Sequence, residues 1–178
     1  MNIGVVIGQP GGYRDTLAKL RAEHDRARAA AVSSVWLTQH LGFDALTLIA
    51  SWGAEWDAEI GTAVVPAQTR HPVVLAEQAM TAQAACGGRL TLGIGLAHEA
   101  TLETSYGLPR RRSVSYLADY LSTLDALMCG GKAAPNESFS LSARLGAVLP
   151  EAPPVMIAAL GPRMLQLAGE RTAGRSRG

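Results

Sequence analysis

The chain has 178 residues and a formal net charge of +1, from 16 Lys and Arg against 15 Asp and Glu. Hydrophobic residues make up 48% and charged residues 17%, which excludes global disorder and suffices for a packed core. The balanced charge removes the electrostatic ground for a nucleic-acid or anionic-membrane partner, and no apolar run approaches the ~20 residues of a membrane span.

Residues 3–8, IGVVIG, read as a buried strand ended by Gln9-Pro10-Gly11-Gly12. Leu17, Leu20, Ala27 and Ala31 then recur at a helical period. SVWLT, residues 34–38, returns to strand chemistry. Asp44 is a candidate N-cap for a short helix reaching Trp56. Ile60 to Val65 is predicted as one strand closed by Pro66. Pro72 opens a helix with the stripe Leu75, Ala79, Ala82 and Cys86, ended by Gly87-Gly88. Leu90 to Leu96 is the fourth strand, and residues 98–111 read as a loop. Val114, Leu117, Leu121, Leu124 and Met128 make the next helical stripe. Residues 133–150 suggest a hairpin insertion. Val155 to Leu160 is a fifth strand, and Gly161-Pro162 opens a fifth helix. This βαβα order means an α/β fold with a parallel sheet, doubly wound or a barrel.

Several chemistries are excluded by motif. There is no GxxxxGK, no GxSxG and no HExxH, and His24, His40, His71 and His98 lack metal-ligand spacing, so no metal is expected. Gly93-Ile94-Gly95 is followed by His98 where a Rossmann fingerprint needs a third glycine. Cys86 and Cys129 form no CxxC pair or disulfide framework, and the start Met1-Asn2-Ile3-Gly4 shows no signal-peptide pattern. Both fit a reducing cytoplasm.

Four strand-end features stay open between a bland and a functional reading. His40 is either a solvated strand-end residue or a donor or acid near a cofactor ring. His98 is a loop histidine or a second polar group on the same face. In IGTAVVPAQTRHP, residues 60–72, Gly61, Ala63 and Pro66 permit an unusual backbone, or simply turn into the next helix. In Gly161-Pro162-Arg163-Met164 the glycine admits close approach, and the amides of Arg163 and Met164 would face an anion, unless this is only a capped helix start.

Together SVWLTQH, GTAVVPAQTRHP, RLTLGIGLAH and IAALGPRMLQLAGER resemble the luciferase-like monooxygenase superfamily, in particular its coenzyme F420-dependent oxidoreductases. The resemblance runs from Asn2 to about Thr172. It implies a TIM-type (β/α)8 barrel family, with about five βα units in this chain and the site at the C-terminal strand ends. It implies that His40 lies near the redox ring, with Gln39 where relatives often carry an acid. It places a non-prolyl cis peptide at Ala63-Val64, behind the ring. Gly95, Leu96, Ala97 and His98 match the turn facing ring and substrate, although some deazaflavin-dependent relatives have a glutamate acid at the position of His98. Gly161, Pro162, Arg163 and Met164 match the phosphate-binding turn. The implied activity is hydride transfer with coenzyme F420 on a small-molecule substrate; an FMN-dependent monooxygenase is the alternative cofactor reading. A homodimer is admitted as a partner.

A full barrel takes about 250 residues. The expectation is therefore a shortened barrel domain over 1–172, with 173–178 as a disordered tail of frameshift character. Such a chain leaves unpaired strand edges. A non-catalytic half-barrel interaction module thus competes with the enzyme, and a doubly wound fold that genuinely ends at residue 178 is a third reading.

Overall fold

The computed structural model describes residues 3–8, 16–109, 114–147 and 151–173, with backbone alone at 172 and 173. Among these residues the chain forms β1 (Gly4–Ile7), α1 (Leu17–Ala29), β2 (Ser34–Leu37), α2 (Ala45–Trp52), β3 (Glu59–Thr62) and β4 (Val65–Pro66). It continues with α3 (Pro72–Ala85), β5 (Leu90–Gly95), α4 (Glu99–Tyr106), α5 (Val114–Met128), β6 (Val155–Ile157) and α6 (Pro162–Ala173). Two compact units divide it: Met1–Val65 with Gln78–Gly93 and Pro150–Val155, and Pro66–Glu77 with Ile94–Leu149 and Met156–Gly178.

In the first unit β1, β2, β3 and β5 are neighbours in a parallel sheet. Val5 lies beside Val35, Val35 beside Ile60, and Ile60 beside Leu90. Val35, Leu37, Ile60, Leu90 and Leu92 share one buried face of the sheet, and β5 alone of these four strands is buried along both of its faces. The Thr16 hydroxyl accepts from the Lys19 amide at 3.1 Å and starts α1, which buries Leu20, His24 and Ala27 along one stripe. Asp44 caps α2 in the same way, accepting from the Thr47 amide at 2.8 Å. Ala79 and Ala82 on α3, and Cys86 directly after it, are fully buried. Gly87 and Gly88 (φ +64° and +82°) end that helix, and the Gly88 amide closes back on the Gln83 carbonyl at 2.8 Å. Gln83 is itself buried. It accepts from the Leu90 amide at 2.9 Å and donates to the Glu151 carbonyl at 3.1 Å, which fixes where β5 begins.

In the second unit α5 buries Leu117, Leu121, Leu124 and Met128, as its spacing predicts. Arg171 on α6 reaches Asp125 at 3.1 Å and Ser122 at 2.6 Å on α5.

Four expectations change. The strand predicted over Ile60–Val65 is two, because a cis peptide between Ala63 and Val64 separates β3 from β4. The segment from 98, read as a loop, carries α4. Glu99 sits in its first turn, Leu102 is fully buried, and Gly107 in the left-handed region ends it with its amide on the Leu102 carbonyl. One buried apolar residue is too few to show as a periodic stripe. The hairpin expected over 133–150 is a loop with a single antiparallel bridge, Ala133 to Ala143, through 147. Its turn is held by Asn136 on Thr123 (3.0 Å) and by Ser138 on Asp119 (2.6 Å), in place of strand pairing. The rest of that segment, 148–150, lies outside the described residues. Five strands and five helices thus become six and six. α6 extends through Ala173, one residue into the expected tail, and 174–178 lie outside the described residues.

Candidate active site

In the first unit the predicted residues cluster at the C-terminal ends of adjacent parallel strands. The Thr38 hydroxyl donates to the Gly8 carbonyl and ties the exit of β2 to that of β1. Gln39 turns its side-chain oxygen onto the Ala45 amide at 2.9 Å, so it helps cap α2. His40 is half-buried, and Leu41 at φ +43° reverses the chain directly after it. The Ala63 amide donates to the Leu37 carbonyl at 2.8 Å, which sets the cis Ala63–Val64 peptide beside the end of β2. The Thr62 hydroxyl donates to the Gly93 carbonyl at 2.7 Å. A Cβ on Gly93 would run into the Thr62 carbonyl oxygen and come within 3.3 Å of a Val64 methyl. Glycine is therefore what lets β5 lie so close to the end of β3.

In the second unit β5 ends at Gly95. Leu96 and Ala97 are half-buried and His98 is exposed. The Ala97 amide donates to the Gln68 side-chain oxygen at 3.0 Å. His98 occupies the N-cap of α4, and its carbonyl accepts from the Leu102 amide at 3.0 Å. The Ala158 amide donates to the Ile94 carbonyl at 2.9 Å, so the exit of β6 lies beside the exit of β5. Four residues after Ala158, α6 begins at Pro162. Its first helical bond runs from the Leu165 amide to the Gly161 carbonyl at 2.9 Å. Pro162 has no N–H, so the amides of Arg163 and Met164 head the positive end of the helix. A Cβ on Gly161 would meet nothing within 4 Å, and the Arg163 side chain is exposed. This donor set suits a phosphate.

The groups that hold the 66–71 segment carry no local sequence signal. The Tyr120 hydroxyl donates to the Arg70 carbonyl at 3.1 Å. Burial pushes that hydroxyl's pKa well above its ordinary 10.0, so it stays a donor. Burial also lowers the Arg70 guanidinium, an effect that Tyr120 and Tyr106 oppose. Nothing in the local sequence marks Gln68, because its partner is a backbone amide distant in the chain.

A different cluster lies in the first unit, on α1 and the turn after α2. Arg21 holds Glu55 by two bonds of 2.7 and 2.6 Å, and Arg28 adds a third at 3.3 Å. Hydrogen bonding from Arg21 holds the Glu55 carboxyl below its usual range. His24, buried against Trp52 and Trp56, contacts Asp25 at 3.0 Å. His24, Asp25 and Glu55 can bring ligand atoms within 4.8 Å of one another. The Glu55 oxygens are already engaged by two guanidinium groups, so the grouping is an ion-pair network. Beside it lies a cavity of about 710 Å³, lined in part by Ser33, Glu55, Trp56 and Ala58. Ser33 and Ala58 precede β2 and β3, so this cavity is at the opposite strand ends from His40.

The model of the luciferase-like monooxygenase family matches residues 1–174. A 5,10-methylenetetrahydromethanopterin reductase of Methanolobus tindarius is 24% identical over 170 residues, 90% of this chain and 50% of the relative. The solved coenzyme F420-dependent tetrahydromethanopterin reductase of Methanopyrus kandleri superposes with a TM-score of 0.71 at 18% identity, over 95% of this chain and 52% of its own. The oxygenating constituent of 3,6-diketocamphane monooxygenase of Pseudomonas putida, solved with FMN, gives 0.74 at 16% identity, over 97% and 56%. The chain spans about half the length of the curated relatives it matches. These solved structures place its parallel α/β fold in the TIM-barrel type of the luciferase-like enzymes. Among the described residues, no helix is long and apolar enough to cross a membrane.

Proposed function

The chain belongs to the luciferase-like monooxygenase family, and we propose that it serves hydride transfer between coenzyme F420 and a small-molecule substrate. The family's members are F420- or flavin-dependent oxidoreductases and monooxygenases. The observation that carries the reading is the start of α6. Its glycine with open space, its proline without an N–H and its amides at Arg163 and Met164 fit the phosphate of a ribityl cofactor. When bound, the deazaflavin supplies the hydride acceptor or donor.

The chain's own residues supply binding, orientation and a proton. Arg163 adds positive charge at the helix start, where the dipole already favours an anion. In the second unit Leu96–Ala97 presents main chain and small or aliphatic side chains, a surface suited to one side of a flat ring. Gly95 is the last residue of β5 before that turn. His40 and His98 are the candidate proton donors or acceptors. Gln39 is neutral and occupied with α2, so it leaves that task to them. Free Cys86 and Cys129 support a reducing cytoplasmic setting.

An FMN-dependent monooxygenase is the second reading, favoured by the likeness to a fold solved with FMN. Fluorescence titration of the purified chain separates the two. Saturable binding of F420 with weaker binding of FMN is the expected result. Preference for FMN selects the second reading, and binding of neither refutes both.

A further inference from the structure

We propose that Gln68 is a positioning residue that holds the Leu96–His98 turn in place for the cofactor ring; this rests on the reading of that turn given above. The bond is direct: the Ala97 amide donates to the Gln68 side-chain oxygen at 3.0 Å, across 29 positions of sequence. The side chain making it stands on an immobilised base. Gln68 lies in a one-turn helix, Ala67–Thr69, with Ala67 fully buried. The Thr69 hydroxyl donates to the Pro66 carbonyl at 3.0 Å, and the Arg70 amide returns to the Ala67 carbonyl at 3.4 Å. Beyond it, the fully buried Tyr120 donates to the Arg70 carbonyl at 3.1 Å. Tyr120 is in turn packed by the rings of Tyr116 and Phe139, at 6.2 and 5.7 Å between centroids.

The turn that Gln68 grips needs such a grip. Ala97 follows the last strand residue by two positions and precedes the N-cap of α4 by one. Its amide therefore falls between the strand ladder and the helix ladder. The His98 side chain makes no capping bond that would fix the turn locally. A half-buried amide left without an acceptor is costly. Gln68 removes that cost in one orientation of the turn, and this orientation decides where the Leu96–Ala97 surface and the His98 ring project.

The test compares Gln68→Leu, which removes the acceptor at similar volume, with Gln68→Glu, which keeps an oxygen in place. F420 affinity, the thermal midpoint and hydrogen exchange at the Ala97 amide are measured for both and for the wild-type chain. The expected result is a loss of affinity of about 2- to 12-fold in Gln68→Leu, the range of one hydrogen bond. Ala97 exchanges faster, and Gln68→Glu restores both. Wild-type affinity in Gln68→Leu overturns the proposal, as does a loss that Gln68→Glu leaves uncorrected. If the wild-type chain binds no cofactor, the functional reading fails separately, and the Ala97 amide decides alone. Faster exchange in Gln68→Leu upholds the anchor, and unchanged exchange overturns it.

Discussion

Replacing Gly93 by alanine puts a methyl group where β5 passes the end of β3. The new Cβ would overlap the Thr62 carbonyl oxygen and press on Val64. The carbonyl is main chain within a paired strand, so it cannot swing away as a side chain could. Overpacking of this kind costs typically about 1–3 kcal/mol. Moving the strands apart also breaks the bond from the Thr62 hydroxyl to the Gly93 carbonyl, worth a further ~0.5–1.5 kcal/mol. The expected loss is therefore about 2–4 kcal/mol, a large part of the total stability of a small domain. Urea denaturation followed by tryptophan fluorescence reads it, since Trp36, Trp52 and Trp56 all lie in the same unit. Gly88→Ala is the control: φ is +82° but nothing lies within 4 Å of its Cβ, so it loses only the ~1–2 kcal/mol of a left-handed alanine. Gly93→Ala within about 0.5 kcal/mol of wild type would show that the close approach is not there.

Arg163→Ala should weaken F420 binding about 2- to 5-fold, by the loss of one exposed charge at a helix start, and the effect should shrink at high salt. Glu55 has a folded-state pKa below its ordinary 4.5, so its contribution is present above that value and lost as pH falls through the lowered one. Glu55→Gln should flatten that part of the acid limb of a stability–pH profile. Tyr120 has a folded-state pKa above 10.0. Its contribution is complete below pH 10.0 and is lost as pH rises from there toward the folded value. Tyr120→Phe should remove that alkaline loss, and should cost about 1 kcal/mol at neutral pH by removing the hydrogen bond from the hydroxyl to the Arg70 carbonyl. Cys129 is exposed and Cys86 buried, so a thiol reagent should titrate one group in the native chain and two after denaturation.

The strand ends were legible because the parallel strands are short apolar runs stopped by Gly, Pro and polar residues. Val35, Ile60 and Leu92 announce burial by composition alone. The helix starts at Asp44–Ala45 and Gly161–Pro162 follow from capping chemistry written in adjacent residues, whereas the Thr16 cap of α1 was not read from the sequence. The break between β3 and β4 was legible only through the family resemblance, since GTAVV reads as an unbroken strand. α4 was hidden because Leu102 alone marks its buried face, although Glu99 and Gly107 stand at its ends as a start and a stop. Gln68 and Gly93 escaped for another reason. Each acts on a backbone group about 30 residues away, the Ala97 amide for one and the Thr62 carbonyl for the other. No local pattern carries such a pairing. His24 likewise shows no sequence sign of its burial between two tryptophans.

The central claim is that the start of α6 and the turn after β5 receive the cofactor. Amide chemical-shift mapping of the labelled chain during F420 addition tests it most directly. Saturable shifts at Arg163, Met164 and Ala97 are the expected result. Shifts confined to Ser33, Trp56 and Ala58 around the first unit's cavity, or no shifts in the folded chain, would contradict it.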